Sequence, residues 1–234
     1  MLFRSGSLSW STVNGVVYTS VYTVSEAHTD LASIQLTGVK VTDAAGNESA
    51  EGSSSIVAQA IDADSPVISS VTSNATGAGA LKILDEIEFY VKPSTPETGL
   101  TVLPTHYNGE PLNWTDASDP GVTYTGTYIV QSGNNDQTKA LQLEGVTLTD
   151  AAGNVSSPVD GADVVKLIDA NKPVISTVTA TPSVGGTLKV GDYITFEITL
   201  QSAESGVSIV PVNFNGGSLS WSTVNGVVYT SVYT

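Results

Sequence analysis

Residues 62–72 read DADSPVISSVT, and residues 169–179 read DANKPVISTVT. Eight of these eleven positions are identical, at an offset of 107 residues. The same offset relates LKILDEIEF at 81–89 to LKVGDYITF at 188–196. Self-similarity at a fixed period indicates a repeat architecture, so the sequence predicts structural units of about 107 residues.

The phase of the repeat predicts three segments. Residues 62–168 form one complete unit, residues 1–61 match the back half of a unit, and residues 169–234 match the front half. The stretch GSLSWSTVNGVVYTSVYT occurs at 6–23 and again, letter for letter, at 217–234. We therefore interpret the chain as a section of a longer array of near-identical units.

The composition limits the kinds of molecule that the chain is expected to bind. The chain carries 8 Lys and Arg against 23 Asp and Glu, a net charge of −15. This balance argues against nucleic acid, which requires basic patches, and against an anionic membrane surface. No apolar stretch is long enough to span a bilayer, so membrane insertion is not expected. The absence of cysteine excludes disulfides and thiolate metal sites.

The apolar pattern predicts an all-β fold. Ile87, Phe89 and Val91 alternate with residues of the opposite face, as expected of a half-buried strand, and no segment has a sustained 3.6-residue apolar stripe. Strands separated by Gly, Asn, Asp, Ser and Pro clusters at this spacing are typical of a β-sandwich. In the complete unit we predict seven strands, at about 66–73, 85–92, 100–107, 111–115, 122–130, 139–147 and 162–168.

Three motifs together carry a family resemblance. A linker of the form D-x-x-x-P-V-I, the second-strand motif K-x-G-D-x-I-x-F at 189–196 and the closing turn T-D-A-A-G-N resemble the bacterial Ig-like tandem repeats of giant secreted adhesins and biofilm-associated surface proteins. The copy at 82–89 departs from the pattern, with Leu84 in place of glycine. The resemblance implies tandem Ig-like β-sandwiches arranged as an elongated rod, located outside the bacterial cell. Its implied function is structural, as an extender that projects a ligand-binding tip and whose partners are the neighbouring repeats.

In several members of that family calcium stiffens the junctions between repeats, so calcium is the candidate cofactor. Calcium prefers six to eight oxygen ligands. The last hairpin turn of an Ig-like unit lies at the same pole as its N-terminus, which predicts that Asp150 and Asn154 approach the linker. The alternative to metal binding is that these Asp and Asn residues only form turns, in which both residue types are common. The metal-ligand candidates are Asp62, Asp64, Asp150, Asn154 and Asp30 at the first junction, and Asp169, Asn171 and Asp136 at the second.

An enzyme is the least favoured interpretation. The two histidines, His28 and His106, occupy non-equivalent repeat positions, and no nucleophilic, zinc or phosphate-binding motif is present. A carbohydrate- or surface-binding module is an alternative, because Trp10, Trp114 and Trp221 recur at one repeat position. Packing in the core is the favoured role for these tryptophans. A further alternative is a spacer domain of a secreted enzyme or of a surface-layer protein.

The two half-units also predict self-association. Residues 1–61 lack the first strands of a unit and residues 169–234 lack the last, so each half is expected to expose open sheet edges. The chain is therefore expected either to fray at both ends or to join head to tail with other copies by strand complementation.

Overall fold

The computed structural model describes residues 7–76, 79–116, 118–137 and 139–234. Within these ranges the chain forms strands, turns and bends and no helix, which confirms the all-β class. It follows that the described residues contain no helix long and apolar enough to cross a membrane. The chain divides into two compact units, residues 1–169 and residues 170–234, and each is described by itself.

Short strands alternate with turns in both units. The first unit contains β1 (Ser11–Thr12), β2 (Tyr18–Thr19), β3 (Ile68–Ser73), β4 (Ala80–Leu81), β5 (Glu86–Pro93), β6 (Thr101–Leu103), β7 (His106–Tyr107), β8 (Glu110–Pro111), β9 (Asn113–Thr115), β10 (Tyr124–Ile129), β11 (Thr147–Thr149) and β12 (Leu167–Ile168). The second contains β13 (Ile175–Pro182), β14 (Ile194–Leu200), β15 (Asn213–Phe214), β16 (Gly217–Ser218), β17 (Ser222–Thr223) and β18 (Val228–Tyr233).

An antiparallel four-stranded sheet, in the order β3-β5-β10-β9, organises the first unit. The central strand β5 follows the predicted alternation: Ile87, Phe89 and Val91 are buried, whereas Glu88 and Tyr90 are partly exposed on the other face. A strand with this period must cover its apolar face with a second layer.

The second layer of this unit is less regular than the sequence predicts. Strand β11 pairs with β6, and the chain on either side is held by isolated bridges, among them Leu141 with Val164 and Val146 with Val159. The predicted continuous strand at 139–147 is interrupted: residues 142–145 form no ladder, and Gly145 has a positive φ of 63°. This layer nevertheless completes the core, since Leu143, Val146, Leu148 and Val164 are buried.

Residues 7–61 contain little regular structure. They form the β1–β2 hairpin, with two residue pairs, and four isolated bridges. These bridges join Leu31 with Ile61, Ile34 with Val57, Val39 with Gly52 and Thr42 with Glu48. Most side chains in this stretch are exposed.

The second unit repeats the main sheet of the first. Its order is β13-β14-β18-β17, formed by the corresponding segments of sequence. The registers also correspond: Tyr124 lies opposite Val91 in the first sheet, and Tyr229 lies opposite Ile198 in the second. Both edge pairings contain one irregularity, at Ile68/Ser70 in β3 and at the corresponding Ile175/Thr177 in β13.

Aromatic packing follows the same correspondence. In the first unit the ring of Tyr107 lies 4.7 Å from Phe89 and 5.2 Å from Tyr128. In the second unit three aromatic rings at corresponding positions pack with centroid distances of 5.0 Å and 5.1 Å, namely Phe196, Phe214 and Tyr233. Equivalent segments of the two units therefore adopt the same pairing and the same ring contacts.

Candidate functional site

The closing turn of the first unit is organised by the Asp150 carboxylate. Its Oδ1 accepts hydrogen bonds from the backbone N–H groups of Ala152, Gly153 and Asn154 at 2.9, 2.7 and 2.8 Å. Its Oδ2 accepts a bond of 2.9 Å from the Asn154 side-chain amide. Gly153 has a φ of 96°, which favours glycine. The side-chain acceptor of Asp150 and the positive φ of Gly153 make this an Asx-type turn.

This turn meets the linker that precedes the complete unit. The Asn154 side-chain nitrogen lies 3.4 Å from the backbone oxygen of Asp62. On the other side of the linker, the Ala63 N–H donates to Oδ1 of Asp30 at 2.8 Å, and the Ala63 oxygen accepts from the Ala27 N–H at 3.0 Å. Ala63 is buried, so both of its backbone groups are paired where water is scarce. Asp30, Asp62, Asp150 and Asn154 therefore do converge on one linker.

A second carboxylate holds the linker two residues further on, at Ser65. Glu26 accepts hydrogen bonds from the Ser65 hydroxyl at 2.7 Å and from the Ser65 N–H at 3.0 Å. The hydroxyl and the N–H of Ser65 both favour the ionised carboxylate and lower the pKa of Glu26. Glu26 is not predictable from the repeat, because the equivalent position of the complete unit is not acidic.

The negative charges of this junction also act on Glu97. Burial raises the pKa of Glu97, and the negative charges of Asp150 and Asp62 raise it further. Asp150 behaves differently: burial opposes its ionisation, but the hydrogen bonds from Asn154, Gly153 and Ala152 outweigh burial and lower its pKa. Glu97 was not among the predicted site residues, although its recurrence as Glu204 at the repeat offset of 107 is a signal for it.

The remaining candidates are placed less centrally. Asp64 is exposed, and its N–H lies 3.4 Å from the Asp62 side chain. Asp136 and Asp169 flank the bridge between Gln137 and Ile168, which makes them neighbours in the first unit. Asp136, Asp169 and Asn171, the last of which belongs to the second unit, each take part in a polar or electrostatic interaction.

The described residues contain no group of three or more His, Asp or Glu side chains placed to hold a metal ion. Asp30 and Asp150 use carboxylate oxygens to bind backbone N–H groups of the linker and the turn. Calcium at this junction stays a prediction. Direct hydrogen bonds are the interactions that join the linker to its neighbours in this structure.

The recurring tryptophans differ in exposure. The Trp114 indole nitrogen donates to the Pro104 oxygen at 2.8 Å, and a Cβ at Gly126 would lie only 2.8 Å from its ring. Trp221 donates to the Pro211 oxygen at 3.2 Å and packs against a core of Ile198, Leu200 and Tyr229. Trp10 is half exposed. The interpretation of these residues as packing residues is thus supported at Trp114 and Trp221.

Comparison with protein-family models, with curated proteins and with solved structures finds no match for this chain.

Substitution of Asp150 by Ala tests the closing turn. It removes the carboxylate that accepts three backbone N–H bonds, and we expect a loss of about 1.5–3 kcal/mol in the first unit, the usual range for hydrogen bonds to a charged group. Hydrogen exchange of residues 86–129 measures the loss. Asp43→Ala is the matched control, because Asp43 makes the same turn but is exposed. Equal effects of the two substitutions would contradict the assigned role.

Glu97→Gln tests the cost of ionising a partly buried carboxyl group beside Asp150 and Asp62. The folded state raises the pKa of Glu97, so ionisation of this group opposes folding at neutral pH. The substitution is expected to raise the free energy of unfolding at pH 7 by up to about 1 kcal/mol. The melting temperature should rise accordingly. The gain should disappear as the pH falls below the ordinary value of 4.5. Melting curves in chelator at pH 7 and pH 3.5 measure this, and a pH-independent effect would refute it.

Proposed function

We propose that this chain is a non-enzymatic structural segment, built from Ig-like β-sandwich repeats, that serves as an extender in a bacterial cell-surface adhesin. The observation that carries the proposal is the correspondence between the two main sheets. Sheets formed 107 residues apart have the same strand order, the same register and the same irregularity in the edge pairing. A chain that rebuilds one unit in this way gains length without a new fold, which is the property an extender requires.

The junction supports the same role. The linker at 62–65 is held by hydrogen bonds from the preceding segment, through Glu26 and Asp30, and by the closing turn of the following unit, through Asn154. A linker fixed from both sides transmits force and orientation between its neighbours. The extracellular location and the ligand-binding tip rest on the family resemblance alone.

Insertion of further units tests the extender function. We expect that placing one or two additional copies of residues 62–168 after residue 168 raises the maximum dimension in small-angle X-ray scattering by the same increment for each copy. The far-UV circular dichroism per residue should stay constant. An increase in size without regular elongation would contradict an extender.

Two rival functions remain separable from this one. A carbohydrate-binding module predicts quenching of the half-exposed Trp10 by a polysaccharide, so a glycan array with Trp10→Ala as control tests that interpretation. A spacer in a secreted enzyme predicts a catalytic domain encoded beside this region. Determining the coding sequence on both sides distinguishes that domain from further repeats with an anchor or a tip.

We also propose that calcium stiffens the junction around the linker at 62–65. Glu97, Asp62 and Asp150 place negative charge around the linker, which would attract a divalent cation. Extracellular calcium modules bind with dissociation constants on the order of 10⁻⁴–10⁻³ M. Ten millimolar calcium should then stabilise the chain by about 1.4 kcal/mol or more.

Melting curves with calcium, with magnesium and with chelator measure this stabilisation. The matched variant is Asp62→Asn combined with Glu97→Gln, which should lose the response to calcium. Identical melting curves of the unaltered chain with calcium and with chelator would contradict calcium binding.

A further inference from the structure

The turn that joins β9 to β10 contains an aspartyl–prolyl peptide bond, Asp119–Pro120. Both residues are exposed, and the sequence contains this pair nowhere else. The equivalent turns of the other two copies are two residues shorter and read VNG, at 13–15 and at 224–226. The complete unit therefore has a chemically distinct bond at a place where the other copies have none.

Each of the shorter turns is closed by two backbone N–H groups that donate to one oxygen atom. At Asn225 the N–H groups of Val227 and Val228 donate to the side-chain Oδ1 at 2.9 and 3.0 Å. The two residues that follow Gly15 donate in the same way to Oδ1 of Asn14, at 3.0 and 2.9 Å. This pair of N–H groups is thus a repeated feature of the turn, and a side-chain oxygen occupies it in both short copies.

In the longer turn the equivalent N–H groups donate to a backbone oxygen instead. Val122 donates to the carbonyl oxygen of Asp119 at 3.0 Å, and Thr123 donates to the same atom at 3.2 Å. This oxygen belongs to the carbonyl group of the Asp119–Pro120 peptide bond. Two N–H donors on one carbonyl oxygen stabilise the negative charge that the oxygen acquires when the carbonyl carbon is attacked.

Contacts with a neighbouring loop fix the position of this turn. Gly121 accepts a hydrogen bond of 2.8 Å from the Glu97 N–H, and a Cβ at Gly121 would lie 2.9 Å from the Glu97 backbone. The Tyr124 hydroxyl donates to the Glu97 oxygen at 2.6 Å. The second unit makes the equivalent bond between Glu204 and Gly226 at 3.0 Å. The N–H donors are therefore held in place before any reaction starts, which is the condition for effective electrostatic stabilisation.

We propose that the folded chain cleaves its own Asp119–Pro120 bond. The side-chain carboxyl oxygen of Asp119 attacks the carbonyl carbon of the same residue and forms a cyclic anhydride. The proton of the carboxyl group moves to the Pro120 nitrogen, the C–N bond breaks, and the proline leaves as a secondary amine. Water then adds to the anhydride and leaves Asp119 as a C-terminal residue with two carboxyl groups. Water is the only co-reactant.

The residue types favour each step. The proline nitrogen belongs to a tertiary amide, so it is more basic than an ordinary peptide nitrogen and leaves more readily once protonated. The attack is intramolecular, so no second molecule has to be positioned. Because the nitrogen must gain a proton, cleavage should be faster in mild acid than at neutral pH. The acidic side chains on the segments that hydrogen-bond to this turn are Asp116 and Glu97.

Cleavage opens the covalent chain but leaves the sheet paired. Strand β10 keeps six residue pairs with β5, and β9 keeps three with β10. The Trp114 indole stays bonded to the Pro104 oxygen. The two products, residues 1–119 and 120–234, should therefore stay together until denaturant or mechanical load breaks the pairing. Release under load rests on the proposed extender function, whereas the cleavage reaction does not.

Denaturing electrophoresis and mass spectrometry of the full chain test the reaction. Incubation at pH 5 should produce fragments of 119 and 115 residues, the second beginning with Pro120. Guanidinium chloride removes the N–H donors by unfolding the turn, so the folded chain should cleave about tenfold faster or more than the unfolded chain. Circular dichroism at pH 5 checks that the chain is folded. No cleavage, or equal rates in the two states, would overturn the proposal.

Two variants distinguish self-cleavage from attack by another agent. Asp119→Asn removes the nucleophile and Pro120→Ala changes the leaving group, and each should slow cleavage about tenfold or more. Asp116→Asn is the matched control, because it removes the other acidic side chain of the turn, and it should cleave at the unaltered rate. An unchanged rate in Asp119→Asn would show hydrolysis by water or by a contaminating protease and would contradict the proposal.

Size-exclusion chromatography of the cleaved chain tests the consequence for the sheet. Without denaturant the two fragments should elute together, at the volume of the intact chain, and in guanidinium chloride they should separate. Separation without denaturant would contradict a sheet that stays paired after cleavage.

Discussion

The structure depends on covering one apolar face of a sheet. Strand β5 has hydrogen-bonded neighbours on both sides, so the sheet itself pairs its backbone groups. The side chains of Ile87, Phe89 and Val91, however, are removed from water only when a second layer covers them. At about 25 cal/mol for each Å² of apolar surface removed from water, this burial is the main favourable contribution to folding. The irregular layer around Leu143 and Leu148 supplies it despite having few continuous strands.

The same constraint explains why the ends of the unit are held by polar interactions. Core burial fixes the sheets but leaves the linker free to rotate. Backbone groups of Ala63 and Ser65 would be left unpaired by a swinging linker, and the carboxylates of Asp30 and Glu26 satisfy them. Asp150 likewise accepts backbone N–H bonds inside the closing turn. Negative charge gathers at this pole because carboxylates accept several N–H bonds at once. Burial raises the pKa of Glu97 there, and the charges of Asp150 and Asp62 raise it further.

Local chemistry could be predicted from the sequence where a single turn or a period of two decides the conformation. The Asx-type turn at Asp150 and the alternation along β5 follow from residue type alone. Interactions between segments could not be predicted in this way. Glu26 accepts a hydrogen bond from Ser65, which lies 39 residues away in the sequence, and no local sequence pattern predicts that contact. The break at Gly145 was missed because a glycine in a strand-like stretch signals a bulge as readily as a continuous strand.

The repeated stretch shows why local sequence has this limit. Residues 6–23 and 217–234 have the same letters, yet the first forms two-residue strands and the second contains the six-residue strand β18. The second stretch has a partner strand, β14, whereas β1 and β2 pair only with each other. Strand length here is a property of the pairing and not of the segment, as expected of β-propensity in general.

The identity of these two stretches has a consequence for how such a gene can change. Recombination between the DNA segments that encode residues 6–23 and 217–234 would add or remove 211 codons in one event. Because the two stretches occupy equivalent repeat positions, the strands on either side of the crossover keep the order in which they follow one another within a unit. Such an exchange would change the length of the encoded protein by 211 residues while preserving the order of strands within a unit.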